Sequence, residues 1–105
     1  MIDAKLLQEV VNRILGVSKP DRIILFGSSA TGRATPDSDV DLLILEREVE
    51  SPRKASLTIR DALRGLGTAF DVIVMSTGRF EETKNVVGGI AYPANKYGKV
   101  LYEVA

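Results

Sequence analysis

Four short apolar runs set the limits on this fold. They are Arg22–Phe26 (RIILF), Val40–Leu45 (VDLLIL), Asp71–Met75 (DVIVM) and Lys99–Val104 (KVLYEV). Runs of this length, rich in β-branched and aliphatic residues and bounded by Gly, Pro or charge, read as strands. Helix-period segments lie between them. From Asp3 to Leu15, apolar residues fall at Leu6, Leu7, Val10, Val11, Ile14 and Leu15, with Asp3 placed to cap the start and Gly16 the end. Ser51 and Pro52 suit the cap and first position of a second helix. It runs to about Arg64, carries Ala55, Leu57, Ile59, Ala62 and Leu63, and ends at Gly65 and Gly67. Thr77–Lys84 reads as a short polar helical turn. Gly88, Gly89 and Pro93 oppose a long helix, so Pro93 is expected to open a short one that Gly98 closes. The order predicts an α+β fold with an α/β-like sequence of elements: a small sheet covered by helices, in a single domain over residues 1–105.

Composition narrows the chemistry. The 105 residues include no Cys and no His. Disulfides, thiol nucleophiles, imidazole bases and Cys- or His-bound metals are thereby excluded. A bound metal must be one that accepts oxygen ligands, such as magnesium or manganese. Basic and acidic side chains number 14 each, which disfavours gripping long nucleic acid by charge. No apolar run is long enough to span a membrane, and the acidic start MIDAKLLQEV lacks the pattern of a signal peptide. A cytoplasmic protein is expected. Tyr92, Tyr97 and Tyr102 recur every five residues, a spacing that suits neither a helix face nor a strand face. They read as core or interface anchors.

Asp39, Asp41 and Asp71 stand at the starts of the second and third strands. Side chains alternate along a strand, so Asp39 and Asp41 share a face, and Asp71 joins them if the two strands pair. Three acids on one patch repel unless a cation lies between them. Just upstream, Gly27-Ser28 follows the first strand and opens a helical turn. Glycine admits close approach of a ligand, and helix-start amides bind phosphate. Taken singly, each feature has a plainer meaning: a turn, an exposed strand edge, a strand-start acid. Together they describe a site for a metal-bound phosphate chain.

The segment GSSATGRATPDSDVDLLIL resembles the signature of the DNA polymerase β-like nucleotidyltransferases: Gly-Ser, ten residues, then Asp-x-Asp. Here Ser29–Ser38 separate Gly27-Ser28 from Asp39-Val40-Asp41, Asp71 in FDVIV matches the family's third acid, and NKYGKVLYE is similar to its closing segment. The resemblance runs from about residue 5 to 103 and is nearest to the minimal nucleotidyltransferases. It implies a mixed sheet with helices behind it. Asp39, Asp41 and Asp71 would bind Mg2+ or Mn2+, with Asp71 also helping to deprotonate the attacking hydroxyl. Gly27 and Ser28 would hold a nucleoside triphosphate, ATP by expectation. The family often has a basic residue where Thr31 stands; Arg33, two positions later, would replace it as a phosphate contact, the alternative being a solvated loop residue. Minimal members resemble antitoxins paired with a small helical partner of the HEPN type, which some of them modify by transferring AMP to a tyrosine. A homo-oligomer is also compatible. The alternatives are an inactive module that neutralises its partner by masking, and a transferase acting on a small molecule of the aminoglycoside type.

Overall fold

The computed structural model describes residues 3–32 and 39–104. The elements follow as α1 (Ala4–Leu15), β1 (Arg22–Phe26), α2 (Ser28–Thr31), β2 (Val40–Glu46), α3 (Pro52–Ala62), β3 (Phe70–Ser76), α4 (Thr77–Thr83), α5 (Ala91–Tyr97) and β4 (Lys99–Glu103). All four expected strands form, each within a residue or so of its expected bounds. They make one mixed sheet in the order β3-β2-β1-β4. β1 pairs antiparallel with both β2 and β4, whereas β2 and β3 run parallel. Parallel neighbours need a crossover, and α3 provides it.

Both faces of the sheet are covered, which is why its strands read as nearly unbroken apolar runs. On one face Ile23, Leu25, Val40, Leu42, Ile44, Val72 and Val74 pack with Val10, Val11 and Ile14 of α1 and Ile59 and Leu63 of α3. On the other, Ile24, Leu43 and Leu45 pack with Phe80 of α4 and Ala91 and Ala94 of α5. The resemblance implied helices behind the sheet; this second layer adds partial cover in front.

The second layer leaves one corner of its face open, where Asp41 is half-buried and Asp71 exposed. α4 is tied to the end of the sheet where β3 finishes and β1 begins. Thr77 Oγ1 donates to Asp21 Oδ2 at 2.5 Å, and Glu81 pairs with Arg22 at 3.0 Å. Arg22 also pairs with Glu103 at 3.1 Å, and its guanidinium sits 5.6 Å above the Phe80 ring. α5 then follows β1 towards its far end. Gly98 lies so close to the Ala94 carbonyl and to Ile24 that a side-chain carbon has no room, and Lys99 pairs opposite Leu25. The beginnings of β2 and β3 remain uncovered between these two walls.

Hydroxyl and carboxyl caps start three helices, at Asp3 and Ser51 as the sequence suggests and at Ser76 besides. Asp3 Oδ1 accepts the Leu6 amide at 2.8 Å, Ser51 Oγ the Lys54 amide at 3.2 Å, and Ser76 Oγ the Arg79 amide at 3.2 Å. Ser51→Ala should cost about 1 kcal/mol. A calorimetric melting point about 5 °C lower would show it.

Several local expectations shift. α3 ends at Ala62 rather than Arg64, and Gly65 and Gly67 turn the chain with φ of 85° and 75°. Arg13 of α1 closes that end, donating to the carbonyls of Ala62 at 3.3 Å and Arg64 at 2.7 Å. Leu57 lies off the buried face of α3 and is 52% exposed, and Leu15 is 40% exposed. α5 begins two residues before Pro93, which is tolerated because first-turn amides have no helical acceptor to lose. Of the tyrosines read as core or interface anchors, Tyr102 packs against the first core and Tyr97 is 55% exposed. Among the described residues no helix is long and apolar enough to cross a membrane.

Candidate functional site

β1 ends at Phe26, and the chain turns sharply at Gly27, whose φ of 72° and ψ of −152° suit only glycine. α2 is a single turn, with the Ala30 and Thr31 amides donating back to the Gly27 carbonyl at 3.2 and 3.3 Å. The amides that open it have no acceptor inside the helix, and the half-buried Ser28 stands at its first position.

Strand register brings the acids beside this turn. Asp41 sits opposite Phe26 on one side and opposite Asp71 on the other. In parallel strands a matched pair points to one face with backbones about 5 Å apart, so Asp41 and Asp71 are side-by-side neighbours. Their face is the partly covered one, because Val40, Leu42, Val72 and Val74 belong to the core on the opposite face. Asp39 is not a strand residue; it precedes β2 by one position and is exposed. The two-residue spacing from Asp41 still places it at the same end of the sheet.

Asp41 is the half-buried member and Asp71 is exposed. Burial, followed by the charges of Asp71 and then Asp39, pushes the Asp41 carboxyl above its usual value of 3.8. Gly27 packs on this same side chain: a Cβ there would fall inside the van der Waals shell of Asp41 Oδ2. Thus the backbone of the turn and the central acid are in direct contact.

The donor set fits a hard divalent cation. It is all oxygen, and the three carboxylates repel one another in a way that a cation would relieve. Among the described residues no three acidic side chains close around a common point. Arg33 lies in residues 33–38, outside the described residues.

Sequence reasoning missed the surface beside the acids. Asp71, Ile73 and Met75 alternate along β3, and Ile73, Met75 and Phe26 are half-buried at the edge of the second core. The period-two spacing from Asp71 was the available signal.

The model of the nucleotidyltransferase domain family matches residues 4–91. The chain belongs to that family. Gly27, Ser28, Asp39, Asp41 and Asp71 all fall within the matched nucleotidyltransferase segment. A Methanocaldococcus jannaschii protein with the provisional name protein adenylyltransferase is 39% identical over 56 residues, 53% of this chain. That alignment spans 56% of the relative's own length. Two solved structures share the fold. One is a protein of Sulfolobus solfataricus provisionally named a nucleotidyltransferase, at a TM-score of 0.65 and 20% identity, covering 94% of this chain and 78% of the other. The second is from a toxin–antitoxin crystal structure with AMP-PNP, at a TM-score of 0.62 and 19% identity, covering 93% and 73%. The mixed sheet with helices is therefore the nucleotidyltransferase fold that the Gly-Ser and Asp-x-Asp spacing implied.

Proposed function

We propose that the protein transfers AMP from ATP to a hydroxyl of a protein partner, a HEPN-type helical toxin, and acts as its antitoxin. The observation that carries this reading is the contact between the Gly27 turn and Asp41, with Asp71 in register beside it. A phosphate-binding turn and paired carboxylates in contact are what nucleotidyl transfer requires. The relative named a protein adenylyltransferase and the toxin–antitoxin neighbour with AMP-PNP support adenylyl as the group and a protein as the acceptor.

The layout suggests a direction for the reaction across the strands. The opening amides of α2 and the Ser28 hydroxyl hold the β- and γ-phosphates over β1. The α-phosphate then lies over Asp39 and Asp41 on β2, and the acceptor hydroxyl meets Asp71 on β3. The hydroxyl oxygen forms a bond to the α-phosphorus while the bridging bond to the β-phosphate breaks. Pyrophosphate leaves with that electron pair, and the hydroxyl proton passes to Asp71. Magnesium or manganese, held by Asp39, Asp41 and Asp71, would supply positive charge for the leaving pyrophosphate and the attacking oxygen.

Melting the protein with ATP, with and without magnesium, tests the site. ATP with magnesium should raise the melting point, by about 2.7 kcal/mol of stabilisation at a hundredfold excess over Kd. Asp71→Asn should remove most of the magnesium-dependent part. The protein mixed with labelled ATP, magnesium and a HEPN-type toxin encoded beside its gene should mark that toxin with AMP. Neutralisation of the toxin by an Asp71→Asn variant with no AMP transfer would favour masking over catalysis.

A further inference from the structure

The acceptor hydroxyl, on the reading above, meets Asp71 on β3, and β3 is the outer strand of the sheet. Its outer edge, which no strand pairs, has features that select what can approach. Edge strands are usually blunted by Lys, Pro, short length or a bulge. β4, at the opposite edge, follows that rule with five residues, a Lys, a Glu and a register shift. β3 does not: FDVIVMS is seven residues, keeps regular pairing throughout, and its one charge is the site acid Asp71.

The backbone of β3 alternates between its partner and its edge. The Ala69 carbonyl accepts from the Val40 amide, so residues 69, 71, 73 and 75 turn towards β2. Residues 70, 72, 74 and 76 turn outwards. Ser56 of α3 donates to the Val72 carbonyl at 2.8 Å, which confirms that direction and takes one of that carbonyl's two acceptor positions. The outward amides of Val72 and Val74 have no partner among the described residues.

A cleft of about 470 Å³ opens beside the start of this edge, on the α3 side of the sheet. Its lining includes Leu57, Arg60, Leu63, Arg64 and Phe70. Leu57 and Arg60 are exposed, Arg64 pairs with Asp61 at 2.8 Å, and Arg60 makes no ion pair among the described residues. The cleft is therefore mixed: Leu57, Leu63 and Phe70 are its apolar part, Asp61 and Thr68 also line it, and Arg60 is its one uncommitted positive charge among the described residues.

We infer that an extended segment of the protein partner docks by adding a strand to the β3 edge, with an acidic residue next to its acceptor hydroxyl. The geometry follows from the pleat. A residue placed opposite Asp71 on an added strand points to the face that carries Asp71, about 5 Å away. Its sequence neighbours point to the other face, where the cleft presents Arg60. One backbone interaction thus fixes both the hydroxyl against the proton acceptor and the neighbouring side chain against the guanidinium. Strand addition of this kind draws affinity from main-chain hydrogen bonds and specificity from alternate side chains. This docking rests on the transferase reading for its choice of acceptor, but its physical test does not need transfer.

The test is fluorescence anisotropy of a fluorescein-labelled extended peptide with one tyrosine and glutamate beside it, titrated with the full chain. A twin peptide carries lysine in place of the glutamate. The glutamate peptide should bind about fivefold more tightly, the equivalent of one exposed ion pair at about 1 kcal/mol. Arg60→Glu should invert that order without changing the melting-point rise caused by ATP and magnesium. N-methylation of alternate backbone amides of the peptide should abolish binding in one set and spare it in the other. Equal binding of the two peptides, no binding, or equal loss from both methylation sets would overturn the docking. Absence of any ATP- and magnesium-dependent melting shift in the unaltered protein would instead defeat the transferase reading and leave the peptide result standing.

Discussion

Asp41→Asn should yield a protein that transfers AMP at least about a thousandfold more slowly, a loss of about 4 kcal/mol of transition-state stabilisation. It should nevertheless be slightly more stable than the parent. The Asp41 carboxyl is half-buried, faces Asp71 and Asp39, and holds its proton more tightly in the fold than its ordinary value of 3.8 implies. A carboxyl raised in this way contributes stability below its ordinary value, and that contribution is lost as pH rises through the raised value. At neutral pH the charged side chain is therefore a penalty that asparagine does not carry. The gain should be about 0.5 kcal/mol, small because water reaches the group. Urea melts at pH 7 and at pH 3.5 would check it: the gain should shrink towards zero at the lower pH. A variant less stable than the parent at pH 7, or one that transfers AMP at the parent's rate, would refute the assignment of Asp41.

Gly27→Ala should damage both folding and function, for two separable reasons. A side chain at φ of 72° and ψ of −152° is strained by about 1–3 kcal/mol. The added carbon also meets Asp41 Oδ2, and displacing a packed neighbour costs about 1–3 kcal/mol more. Together these predict about 2–6 kcal/mol of lost stability in urea titration. AMP transfer should fall about a hundredfold or more, because the turn and the central acid move relative to each other. The double variant Gly27→Ala/Asp41→Gly separates the causes. It removes the collision and keeps the backbone strain, so it should recover roughly half of the lost stability and none of the activity. Full recovery would show that the turn tolerates a side chain and that glycine is needed only for space.

The locally determined parts of the molecule were legible. RIILF became β1 without adjustment, and Asp3 and Ser51 cap their helices as their positions suggest. Misjudged details came from contacts distant in sequence. Arg13 closes α3 across some fifty residues, which no window along the chain reveals. Leu57 is one of the apolar residues of α3, but Ile59 and Leu63 define the buried face and Leu57 lines the exposed cleft. Tyr97 was grouped with Tyr102 by spacing, yet the two belong to different elements with different cover.

By itself the sequence determined which residues could do chemistry and how far apart they stand along the chain. Ten residues between Gly27-Ser28 and Asp39-Val40-Asp41, with no histidine or cysteine anywhere, left oxygen ligands and a phosphate turn as the available parts. Spacing and residue type are properties of the covalent chain, so they survive without the fold. Only the tertiary structure decided that β2 and β3 lie parallel with Asp41 matched to Asp71, and that α4 and α5 stop short of covering them. Register is chosen by burying Val40, Leu42, Val72 and Val74 together on the opposite face, and a shift of one residue would turn the acids into that core. That choice belongs to the packing of the whole sheet, and it is what sets the carboxylates side by side.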